Sequence, residues 1–157
     1  MSETQNVIVV GVDGSPASDR ALEWAVQEGI RRGWTVEVVT AFGDTGPVGA
    51  LSEPTVRRQA KEAAETAQEL QISKVAAPYL DEVTLASEVV EGPPVERLMH
   101  AARHAGLLVV GSHGYGRIHE ILVGSVAAGC IRNATCPVVV LPAPHLEPLE
   151  PQTLQPR

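Results

Sequence analysis

Short apolar, β-branched runs alternate with helical patterns along almost the whole sequence. Strands are predicted within 7–12, 35–42, 81–91, 107–110 and 137–141, and helices over 16–32, 54–77, from 94, and before 133. Repeated strand–helix alternation requires right-handed crossovers, and these give a parallel sheet covered by helices. We therefore predict an α/β fold: a single open, mainly parallel, five-stranded sheet with helices on both faces, of the Rossmann-like kind.

Composition is compatible with one such domain. Hydrophobic residues make up 44% of the 157 residues and aromatic residues only 3%, which predicts an aliphatic core suited to a buried parallel sheet. We assign residues 1–142 to this domain. Residues 143–157 contain several prolines and no apolar periodicity, so they are predicted to form an extended C-terminal tail.

Helix signals are clear at two places. Ser15 is a suitable N-cap, Pro16 fits the first helical position, and Gly33 ends the helix. For the second, longer helix, apolar periodicity predicts a buried face made of Val56, Ala60, Ala63, Ala67 and Leu70.

A glycine motif follows the fourth predicted strand. Gly111 comes directly after the apolar run 107–110, Gly114 follows it three residues later, and nine residues then separate Gly114 from Gly124-Ser125. Glycines at such a place allow close approach of the backbone to a ligand, and a helix that starts there offers N–H groups to phosphate. The motif is neither a P-loop, which needs a Gly-Lys-Ser/Thr string, nor a dinucleotide fingerprint after the first strand.

The pattern G-x2-G-x9-G-S resembles the ATP-binding signature of the universal stress protein family. The resemblance extends from the string 7–15, which ends in Asp13-Gly14-Ser15, to the string 136–141. It implies the strand order 3-2-1-4-5, so that the order reverses between strands one and four. Ligands bind at that reversal, beyond the carboxyl ends of the strands, and this brings Asp13 and Gly111 to one crevice.

The resemblance also implies a set of ligand-binding residues and a ligand, ATP, with Mg²⁺ as an optional partner. Asp13 would accept ribose hydroxyls or an adenine edge, although it could instead cap the first helix. The backbone of Ala41 would contact adenine, and the N–H groups of Gly111 and Gly114 would meet ribose or phosphate. The N–H groups of Gly124, Ser125 and Val126 would bind the outer phosphates, and the Ser125 hydroxyl would add a donor or a metal contact. Arg117 would pair with a phosphate, or else be an ordinary exposed loop residue. The full set is Asp13, Ala41, Gly111, Gly114, Arg117, Gly124, Ser125 and Val126.

Two positions depart from the family pattern. Gly106 stands where an aspartate is usual, and we expect this to affect the helix-to-strand turn before strand four rather than the ligand. Arg117 stands where a further glycine is common, and could tighten or block access to the phosphates.

Charge and cysteine content exclude several other classes. The net charge of −7 argues against a general nucleic-acid or membrane-surface binder. His113, His119 and Glu120 fit no standard zinc spacing, so no metal-ion site is assigned to them. Cys130 and Cys136 are expected to be reduced thiols, and a polar, acidic N-terminus without an apolar stretch predicts a cytoplasmic protein.

The family resemblance, together with these observations, implies an ATP-binding regulatory protein that is not an efficient enzyme. The alternatives are a slow ATP hydrolase and an interaction module that binds AMP or cyclic AMP. A homodimer is also predicted, because the four apolar residues Val138–Leu141 form an edge strand without a blocking charge.

Overall fold

The computed structural model of the chain describes residues 5–43, 53–114 and 123–144. Within these ranges, the strands are β1 (Gln5–Gly11), β2 (Thr35–Phe42), β3 (Leu85–Glu91), β4 (Ala105–Gly111) and β5 (Val138–Leu141). The α-helices are α1 (Pro16–Arg32), α2 (Pro54–Ala76), α3 (Pro94–Ala101) and α4 (Ser125–Asn133), and a short 3₁₀ helix at Ala77–Tyr79 follows α2.

The five strands form one parallel sheet in the order β3-β2-β1-β4-β5, which confirms the predicted fold class and strand order. Two strands begin earlier than predicted. β1 starts at Gln5, whose N–H donates to His104 O at 2.8 Å, and β4 starts at Ala105, which is paired with Gln5. These two strand starts were not predicted because the prediction relied on runs of β-branched residues, whereas Gln5 is polar and residue 106 is glycine.

Alternation of side chains along the strands divides the core into two layers. Ile8 and Val10 of β1 face α1 and α2, together with Val109 of β4. Val9 and Leu108 point to the other side, toward α3 and α4. All five are fully buried, as expected for the central strands of a sheet covered on both faces.

The first helix has the predicted ends. Ser15 is the N-cap and its hydroxyl accepts from Ser18 N at 3.3 Å, while Pro16 occupies the first helical position. Gly33 closes the helix in the left-handed region, with φ of 68°. A residue with a Cβ is disfavoured there, so the sequence identified this end correctly.

The predicted buried face of α2 is wrong. Leu70 is 67% exposed and Val56 39% exposed, and Ala63 and Ala67 also face solvent. The residues that α2 buries are Gln68, Gln71 and Ala76. Gln68 donates to the carbonyl oxygens of Val38 and Glu88, and Gln71 bonds to the turn before α1, so the two buried glutamine amides supply hydrogen bonds that leucine could not.

Gly106 lies inside β4, so its expected effect on the preceding turn is also wrong. A Cβ at this position would come within 2.5 Å of Cζ3 of the Trp34 indole. The guanidinium of Arg32 lies 4.9 Å from the centroid of the same ring. Glycine is therefore required at Gly106 because Trp34 packs against the strand.

The two cysteines are free thiols. Burial raises the pKa of Cys130 to about 11, with a smaller contribution from Cys136. A thiol with this pKa stays protonated at neutral pH and is a poor nucleophile.

Candidate functional site

A cavity of about 300 Å³ lies beyond the carboxyl ends of β1 and β4, at the point where the strand order reverses. The structure brings seven of the eight predicted site residues to its walls. These are Asp13, Ala41, Gly111, Gly114, Gly124, Ser125 and Val126. Their shared location agrees with the general position of ligands in open α/β sheets, while their individual roles in binding stay predictions.

Arg117 lies outside the described residues, as do His119 and Glu120. His113, between the glycines, also lines the cavity, and its Nδ1 is 2.9 Å from the Ser112 hydroxyl.

The turn between β1 and α1 satisfies its own N–H groups. Asp13 N donates to Ser18 Oγ at 3.3 Å, and Ser15 N donates to Asp13 Oδ1 at 2.9 Å. Gly14 N donates to Oε1 of Gln71, on α2, at 3.0 Å. These three amides are directed to partners within the protein, so the turn does not offer them to an anion.

The second carboxylate oxygen of Asp13 faces the glycine motif. A Cβ added to Gly114 would collide with Asp13 Oδ2. Asp13 itself is exposed and lines the cavity. It therefore presents an acceptor for hydroxyl or amine groups of a ligand, in addition to stabilising the turn through Oδ1.

The start of α4 has the opposite character. Gly124 is its N-cap, and no side chain of the described residues caps this end. Ser125 and Val126 are the first two helical residues, and Ala127 is the third. The first N–H groups of a helix have no partner within the helix and carry partial positive charge, so this end of the cavity can receive an anion.

The N–H group of Gly124, which was predicted to donate to phosphate, already has an acceptor within the protein. Gly124 N donates to Ser112 O at 2.6 Å, so its N–H is used inside the protein and is not available to a phosphate. The same bond ties the start of α4 to the loop that follows β4.

Two of the signature glycines, Gly111 and Gly124, are required for close packing. A Cβ at Gly111 would lie 2.9 Å from the backbone carbon of Ala17, and one at Gly124 would lie 3.0 Å from the Cα of His113. Real Cβ atoms rarely approach so closely. Glycine at these positions lets the backbones of α1, β4 and the motif loop meet around the cavity.

The remaining wall is apolar. Val39 and Ala41 of β2 line it together with Pro94 and Leu98 of α3 and Val110 of β4. Such a surface suits the flat face of a base or a similar apolar group. Of these residues, only Ala41 was predicted from the sequence, through the family resemblance. The other four have the sequence pattern of ordinary core residues.

The side chains of Glu37 and Glu88 interact on the face of the sheet that also carries Val39. Glu37 is two residues before Val39 on β2, and its pKa is raised, first by burial and then by the charge of Glu88 and a hydrogen bond with it. Glu88 is paired with Val39 in the register of β2 and β3.

This pair predicts a pH dependence of stability. Because the folded-state pKa of Glu37 is above its ordinary value of 4.5, the folded state binds more protons, and the free energy of unfolding falls as pH rises from 4.5 through the raised pKa. Glu37→Gln should therefore raise stability at pH 7 and flatten this part of the profile. Chemical denaturation of both proteins between pH 4.5 and 7.5 measures the effect, with Glu62→Gln on exposed α2 as the control. Parallel profiles for wild type and Glu37→Gln would contradict it.

The fold and cavity define a class of protein, the small open α/β domains with a cavity at the sheet reversal. The model of the universal stress protein family matches residues 5–142 of this chain. The chain therefore belongs to the universal stress protein family. No helix among the described residues is long and apolar enough to cross a membrane.

Curated relatives support this assignment over most of the chain. A universal stress protein of Mycobacterium tuberculosis is 34% identical over 146 residues, which are 93% of this chain and 51% of the relative. One from Mycolicibacterium smegmatis is 33% identical over 136 residues, covering 85% of this chain and 45% of the relative. The chain thus spans about half the length of the curated relatives it matches.

Solved structures show the same fold. The universal stress protein UspA from Lactobacillus plantarum superimposes with a TM-score of 0.73 at 24% identity, over 90% of this chain and 99% of that one. A universal stress protein solved in complex with cAMP has a TM-score of 0.57 at 29% identity, over 91% of this chain and 100% of that chain.

Proposed function

We propose that this chain binds an adenine nucleotide, with ATP as the first candidate, in the cavity between β1 and β4. The observation that carries the proposal is the contrast between the two helix starts at this cavity. α1 begins with Pro16, which has no N–H, and its Ser18 N–H is taken by Ser15. α4 begins without a cap from any side chain in the described part of the chain.

This contrast predicts the orientation of the ligand in the cavity. The phosphates belong at Ser125 and Val126, where helical N–H groups point outward. The ribose or base belongs at the opposite side, where Asp13 offers a carboxylate oxygen that would repel phosphate and accept a hydroxyl or amine hydrogen. The apolar wall at Ala41 and Leu98 suits the adenine face. If Mg²⁺ accompanies the phosphates, the Ser125 hydroxyl is the residue group placed to hold it.

Cyclic AMP is a second candidate, because a relative at 29% identity was solved in complex with it. A cyclic nucleotide has one phosphate and no free 3′-hydroxyl, so it would use the start of α4 less and lose one contact to Asp13. Competition between ATP and cAMP at one site distinguishes the two candidates.

The proposal is tested by identifying the nucleotide and then measuring its affinity. Mass spectrometry of the acid-denatured, freshly purified protein should find ATP. Titration calorimetry should show binding, and Asp13→Ala should weaken it by about 1.5–3 kcal/mol, the range for hydrogen bonds to a charged group. Absence of nucleotide and of measurable affinity for ATP and cAMP would contradict the proposal.

We also propose a regulatory role, in the cytoplasm, rather than efficient hydrolysis. Phosphates held by backbone amides are stabilised in the ground state, and uniform binding does not lower the chemical barrier. The turnover number for ATP should lie far below the enzyme median of about 10 s⁻¹. A phosphate-release assay measures it, and a value near that median would show the alternative, an ATP hydrolase, to be correct.

We further propose that two chains form a dimer through β5. β5 lies at the edge of the sheet and is entirely apolar. Leu108 N donates to Pro137 O, and Ser112 N donates to Leu141 O. By the alternation of a parallel pair, the backbone groups of Val138 and Val140 then point away from β4, toward a partner edge.

Proline at Val140 tests the dimer. Its missing N–H costs no bond to β4 but removes one that a partner strand would receive, so Val140→Pro should shift the protein from dimer to monomer. Val140→Ala, which keeps the N–H, is the matched control and should stay dimeric. Sedimentation at micromolar concentration measures the mass. A wild-type species at the chain mass of 16.6 kDa would exclude the dimer.

A further inference from the structure

A buried glutamine of α2 is bonded to the turn that carries Asp13. Gln71 is only 6% exposed and is not part of the cavity wall. Its Oε1 accepts from Gly14 N at 3.0 Å, and its Nε2 donates to Ser18 Oγ and to Asp19 Oδ1, both at 2.8 Å. A single side chain thus joins α2 to the turn and to the first residues of α1.

The bonds of Gln71 also set the direction of the Ser18 hydroxyl. Ser18 Oγ accepts from Gln71, so its own hydrogen goes to Ser15 O at 2.9 Å, and a lone pair is left for Asp13 N. Because Asp13 Oδ1 in turn accepts from Ser15 N, the other oxygen, Oδ2, is the one left to face the cavity. The orientation of the Asp13 carboxylate therefore depends on a hydrogen-bond network that Gln71 completes from α2.

We propose that Gln71 is a positioning residue for the ligand site: it holds the 13–15 turn so that the Asp13 carboxylate meets the nucleoside end of the ligand. This inference rests on the proposed nucleotide-binding function. The side chain acts only through Asp13 and the turn, since it does not line the cavity itself.

A second buried glutamine supplies a matched control. Gln68, one helical turn earlier on α2, is 5% exposed and donates through Nε2 to Glu88 O at 2.9 Å and to Thr40 Oγ1 at 3.1 Å. It attaches α2 to β2 and β3 and, among the residues that the structure describes, makes no bond to the 13–15 turn; it is linked to Val12, directly after β1, only through the Thr40 hydroxyl, which donates to Val12 O at 3.1 Å. Methionine at either position keeps a similar volume and removes the amide, so Gln71→Met and Gln68→Met should both lower stability, but only Gln71→Met should affect the ligand site.

The first measurement needs no ligand. Amide hydrogen exchange in the nucleotide-free protein should be at least about tenfold faster at Gly14 in Gln71→Met, because its N–H loses this acceptor, and unchanged there in Gln68→Met. Unchanged exchange at Gly14 in Gln71→Met would overturn the inference, whatever the protein binds. Faster exchange at Gly14, with no affinity of the wild type for ATP or cAMP, would retain Gln71 as the group that orders the turn and reject the nucleotide function.

The second measurement is a double-mutant cycle with ATP. Gln71→Met should weaken ATP binding about tenfold, the effect of losing one net hydrogen bond, and should cause no further loss in the Asp13→Ala background. Gln68→Met should leave the affinity within about twofold. An equal loss from Gln71→Met in both backgrounds would show a general structural effect and overturn the positioning role.

Discussion

Gly124→Val should abolish ATP binding while the domain stays folded. The Cβ would lie 3.0 Å from His113 Cα and 3.1 Å from Ser112 O, and the two methyl groups of valine would add to this contact. The loop 112–114 and the start of α4 must then separate, although Gly124 N is now bonded to Ser112 O. Both segments line the cavity, so the expected loss of affinity is about 100-fold or more, close to 3 kcal/mol.

Calorimetry with ATP measures this loss, and circular dichroism and thermal melting verify that the variant is folded. Ala86→Val is the control, because it places a similar side chain at an exposed position of β3, far from the cavity. Equal affinity of wild type and Gly124→Val would show that the motif loop is not the binding site.

Gly111→Ala should lower stability strongly, unlike the substitution at Gly124. The added Cβ would meet the backbone carbon of Ala17 at 2.9 Å and Ser18 N at 3.0 Å. These are backbone atoms in the first turn of α1, and β4 cannot retreat because it is paired with β1 and β5. Overpacking of this kind costs about 1–3 kcal/mol or more, and we expect about 3 kcal/mol.

Gly11→Ala is the matched control for that prediction. Gly11 ends β1 as Gly111 ends β4, and a Cβ there would lie 3.0 Å from the two terminal methyl carbons of Leu98. A leucine side chain can rotate away at small cost, so Gly11→Ala should lose less than about 1 kcal/mol. Urea denaturation of both variants measures the difference. Similar losses would mean that the contact with α1 is not what requires glycine at Gly111.

Much of the candidate site followed from local sequence signals. Asp13, Gly111, Gly114 and Ser125 were identified from a strand end, a glycine spacing and a helix start, and all four line one cavity. Each signal is local in the chain. The strand order 3-2-1-4-5, which the family resemblance implied and the structure has, then brings the ends of β1 and β4 together.

The sequence failed where a residue's role depends on a distant partner. The periodicity of α2 predicted a buried face with Leu70, yet the helix buries Gln68 and Gln71, which bond to carbonyl groups of β2 and β3 and to the 13–15 turn. Gly124 was predicted to donate to phosphate, but its N–H is taken by Ser112.

The sequence by itself determined the order and type of the elements and the parallel sheet, and its resemblance to the family implied the strand order and the location of the site. The elements depend on apolar spacing, caps and glycines, which act within a few residues. Only the tertiary structure decided which helix start is open to an anion and which backbone N–H groups are already used. That depends on contacts such as Gly14 with Gln71, 57 residues apart, and a hydrogen bond across such a separation leaves no periodic signal in the chain.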